Sequence, residues 1–198
     1  GGSDGSVKLW DTIARQSLVT FETGFSNIDT LVFSPDGEAL AISGSRGVGI
    51  WRWVDQAQTA SFVVAGQPVT RMAFSPDGTQ LAAAGNNRIG LWDIDAGEIS
   101  DTLEAGDGIA SDVLLYSPDG TYLVSGGDIP DMIVWDTESG RPAAQLLGIG
   151  GTRTSAVFSP DGDLLVTSVL EGTVSLWDMT SVGDTIAQAG LDVQTDRV

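Results

Sequence analysis

The sequence predicts an all-β chain built on one four-strand unit repeated along its length, and three observations carry that prediction. The tetrapeptide Ser-Pro-Asp-Gly occurs four times, at Ser34–Gly37, Ser75–Gly78, Ser117–Gly120 and Ser159–Gly162, so that successive copies start 41, 42 and 42 residues apart. Trp10, Trp51, Trp92, Trp135 and Trp177 keep nearly the same step, 41, 41, 43 and 42, and all but Trp51 precede an aspartate. Nowhere do apolar residues hold a helical period over the length of a helix, whereas short apolar runs bounded by Gly, Pro, Asp and Ser recur throughout. Two independent markers sharing one period identify an array of structural repeats.

Each period contains four runs of strand character. The first ends in an aromatic: Leu31-Val32-Phe33, Met72-Ala73-Phe74, Leu114-Leu115-Tyr116 and Ala156-Val157-Phe158. The Ser-Pro-Asp-Gly that follows is a tight turn, because proline pre-sets φ, aspartate bonds its own backbone and glycine accepts positive φ. The second run is short and apolar, as in Leu40-Ala41-Ile42, Leu81-Ala82-Ala83, Leu123-Val124 and Leu164-Leu165-Val166. The third carries the tryptophan, as in Val7-Lys8-Leu9-Trp10-Asp11 and Val174-Ser175-Leu176-Trp177-Asp178, and is apolar on both faces, as packing between sheets requires. The fourth, represented by Ser17–Phe21, Ser61–Val64 and Ile99–Leu103, is the most polar and reads as a solvent-side edge. Hairpins joining these runs give four antiparallel strands per repeat.

With the pattern F-S-P-D-G, then L/V-x-S/A-G, then V-x-L-W-D recurring at about 42 residues, the chain resembles the WD-repeat β-propeller family in its common bacterial style. The resemblance covers nearly the whole chain and implies four-stranded blades arranged radially around a central channel. It also implies that the chain departs from the family in its polar network. There is no histidine, so the Gly-His dipeptide that usually opens a repeat is replaced by Gly24-Phe25, Gly66-Gln67, Gly106-Asp107 and Gly150-Gly151. Asp4 and Asp128 stand where the family's loop aspartate is expected, while Arg46, Asn87 and Glu171 occupy that region in the other repeats. Trp51 precedes Arg52-Trp53 instead of an aspartate. The Asp-His-Ser/Thr-Trp network cannot form in full, and apolar packing with backbone ladders is expected to hold the blades.

The phase of the markers divides the chain into complete repeats over about 24–65, 66–105, 106–148 and 149–189. A partial repeat over 1–23 begins at a hairpin resembling Gly126-Gly127-Asp128 and lacks its two inner strands. Residues 190–198 read as a tail or as the start of a further blade, since Ala189-Gly190-Leu191-Asp192-Val193 resembles Ala65-Gly66-Gln67-Pro68-Val69. A seven-bladed ring needs about 300 residues at roughly 42 per blade. The expectation is therefore a segment of a longer propeller, or one that another chain completes.

Composition narrows the function classes. The chain of 198 residues is 41% hydrophobic and carries a net charge of −18 with a single lysine, Lys8. That balance argues against a nucleic-acid backbone partner, whose affinity comes from Lys and Arg contacts, and against anionic membrane surfaces. No apolar run is long enough to span a membrane. Without cysteine or histidine, neither a disulfide framework nor a Ser-His-Asp or Cys-His catalytic unit can be assembled from these residues. The carboxylate pairs Asp93/Asp95, Asp128/Asp131 and Asp161/Asp163 fall in or beside turns, where aspartate serves local backbone bonding. No cofactor or metal site is expected.

Surface recognition remains. In propellers resembling this one, partners dock on the face formed by loops leading into the first strand of each blade. The corresponding positions are Asn27/Asp29, Gln67/Arg71, Asp107/Asp112 and Arg153/Ser155, of which Asp29, Arg71, Asp112 and Arg153 are the candidate contact residues. Trp53, the one tryptophan outside the repeat position, is a further candidate. The expected function is a non-catalytic protein-interaction scaffold, with protein partners or the remaining blades as its contacts. Two alternatives stand beside it: an enzyme-associated regulatory or carboxylate-based hydrolytic propeller, and a divalent-cation-binding module.

Overall fold

The computed structural model describes residues 1–45, 47–54, 57–62, 69–85, 88–104, 112–126, 132–147, 155–169, 173–182 and 188–189. Its first sheet is a two-stranded antiparallel pair, β1 (Ser6–Asp11) and β2 (Gln16–Glu22). Four four-stranded antiparallel meanders follow in chain order. They are β3 (Ile28–Phe33), β4 (Ala39–Gly44), β5 (Gly47–Arg52) and β6 (Ala57–Phe62); β7 (Arg71–Phe74), β8 (Gln80–Gly85), β9 (Arg88–Asp93) and β10 (Glu98–Glu104); β11 (Val113–Tyr116), β12 (Tyr122–Gly126), β13 (Met132–Asp136) and β14 (Arg141–Leu146); and β15 (Ser155–Phe158), β16 (Leu164–Ser168), β17 (Val174–Asp178) and β18 (Gln188–Ala189).

The first strands lie side by side, β3 against β7, β7 against β11 and β11 against β15. Four complete blades plus a partial one thus form an incomplete β-propeller. No helix among the described residues is long and apolar enough to cross a membrane.

Each Ser-Pro-Asp-Gly closes the hairpin between a blade's first and second strands with one set of bonds. In blade three Gly120 N donates to Ser117 O at 2.9 Å, Tyr122 N to Ser117 Oγ at 2.9 Å, and Ser117 Oγ to Asp119 Oδ1 at 2.6 Å. The glycines at the four turns have φ of 74°, 75°, 79° and 82°, where a Cβ would crowd the following carbonyl, so the fourth turn position calls for glycine. A Cβ on Gly78, Gly120 or Gly162 would also meet the turn proline of the preceding blade at 3.5–3.6 Å, so the turns stack from blade to blade.

Register and burial follow the sequence pattern. In every complete blade the tryptophan of the third strand stands opposite a leucine of the second: Leu40↔Trp51, Leu81↔Trp92, Leu123↔Trp135 and Leu165↔Trp177. This row is buried against the preceding sheet; Leu165 and Trp177, for example, cluster with Val124 and Val134 of blade three. The fourth strands β2, β10 and β14 are mostly exposed, as their polarity predicts.

Two expectations are corrected. The fourth strand of the first complete blade begins at Ala57 and not at Ser61, with Arg52 paired to Ala57; Val63 and Val64 lie outside the described residues. Trp10 shares the core position of its repeat but leaves 58% of its surface exposed. Its sheet has no second strand to set a leucine opposite it. In the last blade the fourth strand is described at Gln188–Ala189, paired with β17.

Candidate interaction surface

Of the expected contact residues, Asp29, Arg71 and Asp112 lie at or just ahead of the starts of first strands, and Arg71 is held against the neighbouring blade. Arg71 opens β7, and its Nε donates to the backbone carbonyl of Asp112, just ahead of β11, at 2.9 Å. A second guanidinium nitrogen donates to Thr70 O at 2.9 Å, and a third lies 3.8 Å from Asp112 Oδ1. The arginine therefore joins blades two and three while remaining about half exposed. A bidentate-capable planar group held by two carbonyls keeps donor capacity toward solvent at a defined angle. Asp29, in β3, is exposed and accepts from Asn27 Nδ2 at 2.6 Å. Ser155 is exposed at the start of β15; Arg153, Gln67 and Asp107 lie outside the described residues.

Trp53 belongs to the other end of the blade. It is half-buried, packs with the cluster around Leu40 and Trp51, and its Nε1 donates to Gly37 O in the Ser-Pro-Asp-Gly turn at 2.7 Å. The extended strand β3 separates that turn from Asp29. The structure thus joins Arg71 to Asp112 and places Trp53 apart from both.

The carboxylate pairs do turn work where they are described. Asp93 Oδ1 accepts from Ala96 N at 2.8 Å, and Asp161 Oδ1 accepts from Ser159 Oγ at 2.5 Å and Asp163 N at 3.2 Å. The Asp128/Asp131 pair lies outside the described residues. The Ser159 hydroxyl, followed by the backbone N–H of Asp163, holds the Asp161 carboxyl below the usual carboxylate range. Asp36, Asp77 and Asp119 are lowered in the same way, with their turn serine as the main cause. Among the described residues, no three His, Cys, Asp or Glu side chains converge to hold a metal ion.

Two further features were not anticipated from the sequence. A polar cleft of about 260 Å³ between blades two and three is lined by Asp77, Gln80, Tyr116, Asp119 and Glu138. Burial raises the Tyr116 phenol's pKa, and it donates to Gln80 Oε1 at 2.7 Å. An apolar groove of about 340 Å³ runs beside β1, with Leu9, Trp10, Leu18, Leu31, Phe33 and Trp53 on its walls.

Comparison with known proteins finds repeats of one kind at two places in the chain. The model of the WD domain, G-beta repeat, matches residues 58–93 and 148–178. This chain carries WD repeats. The chain resembles Protein ROOT INITIATION DEFECTIVE 3 of Arabidopsis thaliana, 33% identical over 71 residues. It also resembles the COMPASS component SWD1 of Saccharomyces cerevisiae, 28% identical over 88 residues. These alignments cover 36% and 42% of this chain but only 16% and 21% of the relatives. The two WD-repeat segments matched by the family model include β9 with Trp92 and β17 with Trp177.

Proposed function

We propose that this WD-repeat chain is a non-catalytic protein-interaction scaffold that presents the starts of its first strands to a protein partner. The observation that carries this reading is the bond from Arg71 to the Asp112 backbone. It fixes an exposed cation at the junction of two blades, on a chain whose net charge is −18. Such a residue, held on a rigid scaffold that also carries the exposed Asp29 at the start of another first strand, offers an oriented contact. The yeast relative's name as a component of COMPASS, a multi-subunit assembly by that wording, supports the same class of role. We further propose that these blades form part of a larger propeller.

The test uses Arg71→Ala and Asp29→Lys in pull-downs from the source organism's lysate, read by quantitative mass spectrometry. Both variants are expected to keep the wild-type melting temperature within a few degrees and to lose one shared partner. A partner set unchanged by both substitutions would exclude this face as the contact surface.

A further inference from the structure

The polar cleft between blades two and three lies at the Ser-Pro-Asp-Gly end of the blades, the end away from Arg71. It exists because three repeat positions change character together there. Just past each repeat tryptophan, a backbone N–H returns to the residue that follows the Ser-Pro-Asp-Gly turn. Ile94 N donates to Thr79 O at 2.9 Å, Thr137 N to Thr121 O at 3.0 Å and Met179 N to Asp163 O at 2.8 Å. In blade one the same position is Trp53.

Three of these four side chains are large and apolar, and they seal their junctions. Ile94 packs into the cluster that holds Phe74 and Ala39, and Met179 into that of Phe158 and Tyr122. Thr137 instead turns its hydroxyl back to Gly120 O of its own blade at 2.7 Å. The first-strand aromatic at this junction is Tyr116, where the other complete blades carry Phe33, Phe74 and Phe158. Gln80, which accepts from the Tyr116 hydroxyl at 2.7 Å, stands where blade one carries Ala39. The space that isoleucine or methionine fills elsewhere is left as a polar cleft of about 260 Å³.

Charge and size specify what enters it. Asp77, Asp119 and Glu138 line the cleft, and among the described residues no basic side chain does. The ion pairs printed on the blades' surface, Arg52–Glu38, Arg71–Asp112 and Arg88–Glu104, involve none of these acids. The turn serines, as the main cause, hold the Asp77 and Asp119 carboxyls below the usual range, so both are ionised at neutral pH. Among the described residues, the bonds that Asp77 accepts all fall on its Oδ1. The acids do not converge on a metal position. The volume is also below the roughly 300–1,000 Å³ of pockets that enclose a whole small-molecule ligand, and suits a single side chain.

We propose that this cleft takes the basic side chain of a partner polypeptide, an arginine or lysine. Its cationic head meets Asp77, Asp119 and Glu138 through charge-assisted hydrogen bonds, and its alkyl stem packs along the Tyr116 ring. The contact is separate from the Arg71 surface and does not depend on it.

The probe is a short peptide, blocked at both ends, with one arginine among glycines, titrated into the isotopically labelled chain and followed by NMR. Saturable shifts are expected at the Gln80 side-chain amide and at the Tyr116 and Thr137 backbone amides. Thr137→Ile, which places here the residue of blade two, should refill the cleft and weaken binding by about tenfold or more, the loss of an anchored contact. Glu138→Gln, at an exposed position, should weaken it by up to about fivefold, the worth of a partly solvated ion pair. Arg71→Ala should bind as the wild type does. A peptide with citrulline, neutral and of the same shape, in place of arginine should not bind. Equal binding of the citrulline peptide would overturn the proposal, as would shifts that survive Thr137→Ile unchanged. Calcium ions moving these resonances while the arginine peptide leaves them unmoved would assign the acids to a metal and refute it.

Discussion

The indole Nε1 of Trp135 donates to the Ser125 hydroxyl at 2.8 Å, and both residues are buried inside one blade. Trp177 repeats the bond to Thr167 Oγ1 at 3.0 Å in the next blade. These links keep the Trp-to-Ser/Thr end of the polar network that the absence of histidine prevents from forming in full.

Ser125→Ala should destabilise the chain by about 1–3 kcal/mol, because it strands a buried indole N–H. Ser125→Thr should recover most of that loss, since threonine serves Trp177 in blade four. Urea denaturation followed by tryptophan fluorescence reads both effects. A Ser125→Ala midpoint equal to the wild type would show that the bond adds no net stability.

Blade two handles its tryptophan differently. A Cβ placed on Gly90 would lie 2.3 Å from Cη2 of Trp92, so the indole folds back over the glycine two residues before it. Gly90→Ala is expected to cost roughly 1–3 kcal/mol or more through overpacking in a close-packed core. Trp92→Phe removes the outer ring atoms, and in that background the added Gly90→Ala penalty should shrink. A double-mutant cycle with no coupling would refute the steric account.

The turn aspartates set a pH dependence. Hydrogen bonds from the Ser117 hydroxyl and then Thr121 hold the Asp119 carboxyl below the usual range, as the equivalent serines do for Asp36, Asp77 and Asp161. A depressed folded-state pKa gives stability that is present above the unfolded value, about 3.9, and lost as pH falls through the folded value. In high salt, which screens the self-repulsion of an acidic chain, the melting temperature should fall once pH drops below about 4. Asp119→Asn should melt below the wild type at neutral pH and converge with it in acid. A constant gap between the two across the titration would contradict this account.

Much of the fold was legible because it is local. Ser-Pro-Asp-Gly specifies its turn through the short-range bonds of Ser117, Asp119 and Gly120, and period-two runs specify strands whose partners lie a hairpin away. The boundary of β6 was misplaced because a polar fourth strand carries little apolar patterning to fix its start. Asp29, Arg71 and Asp112 could be placed at strand starts by counting, but the Arg71–Asp112 bond crosses 41 residues and depends on how neighbouring blades meet.

The sequence by itself determined the repeat, the turns, the Leu–Trp rows and the polar outer strands, since each follows from residue type at short range. Tertiary structure decided which of those equivalent positions are equivalent in environment. Trp10 and Trp177 share a sequence context, yet one is 58% exposed and the other 3%, because burial depends on whether a neighbouring sheet covers the row. It likewise tied Trp53 to Gly37 and left Phe33 open beside β1. Packing between blades is a long-range property, and no single repeat encodes it.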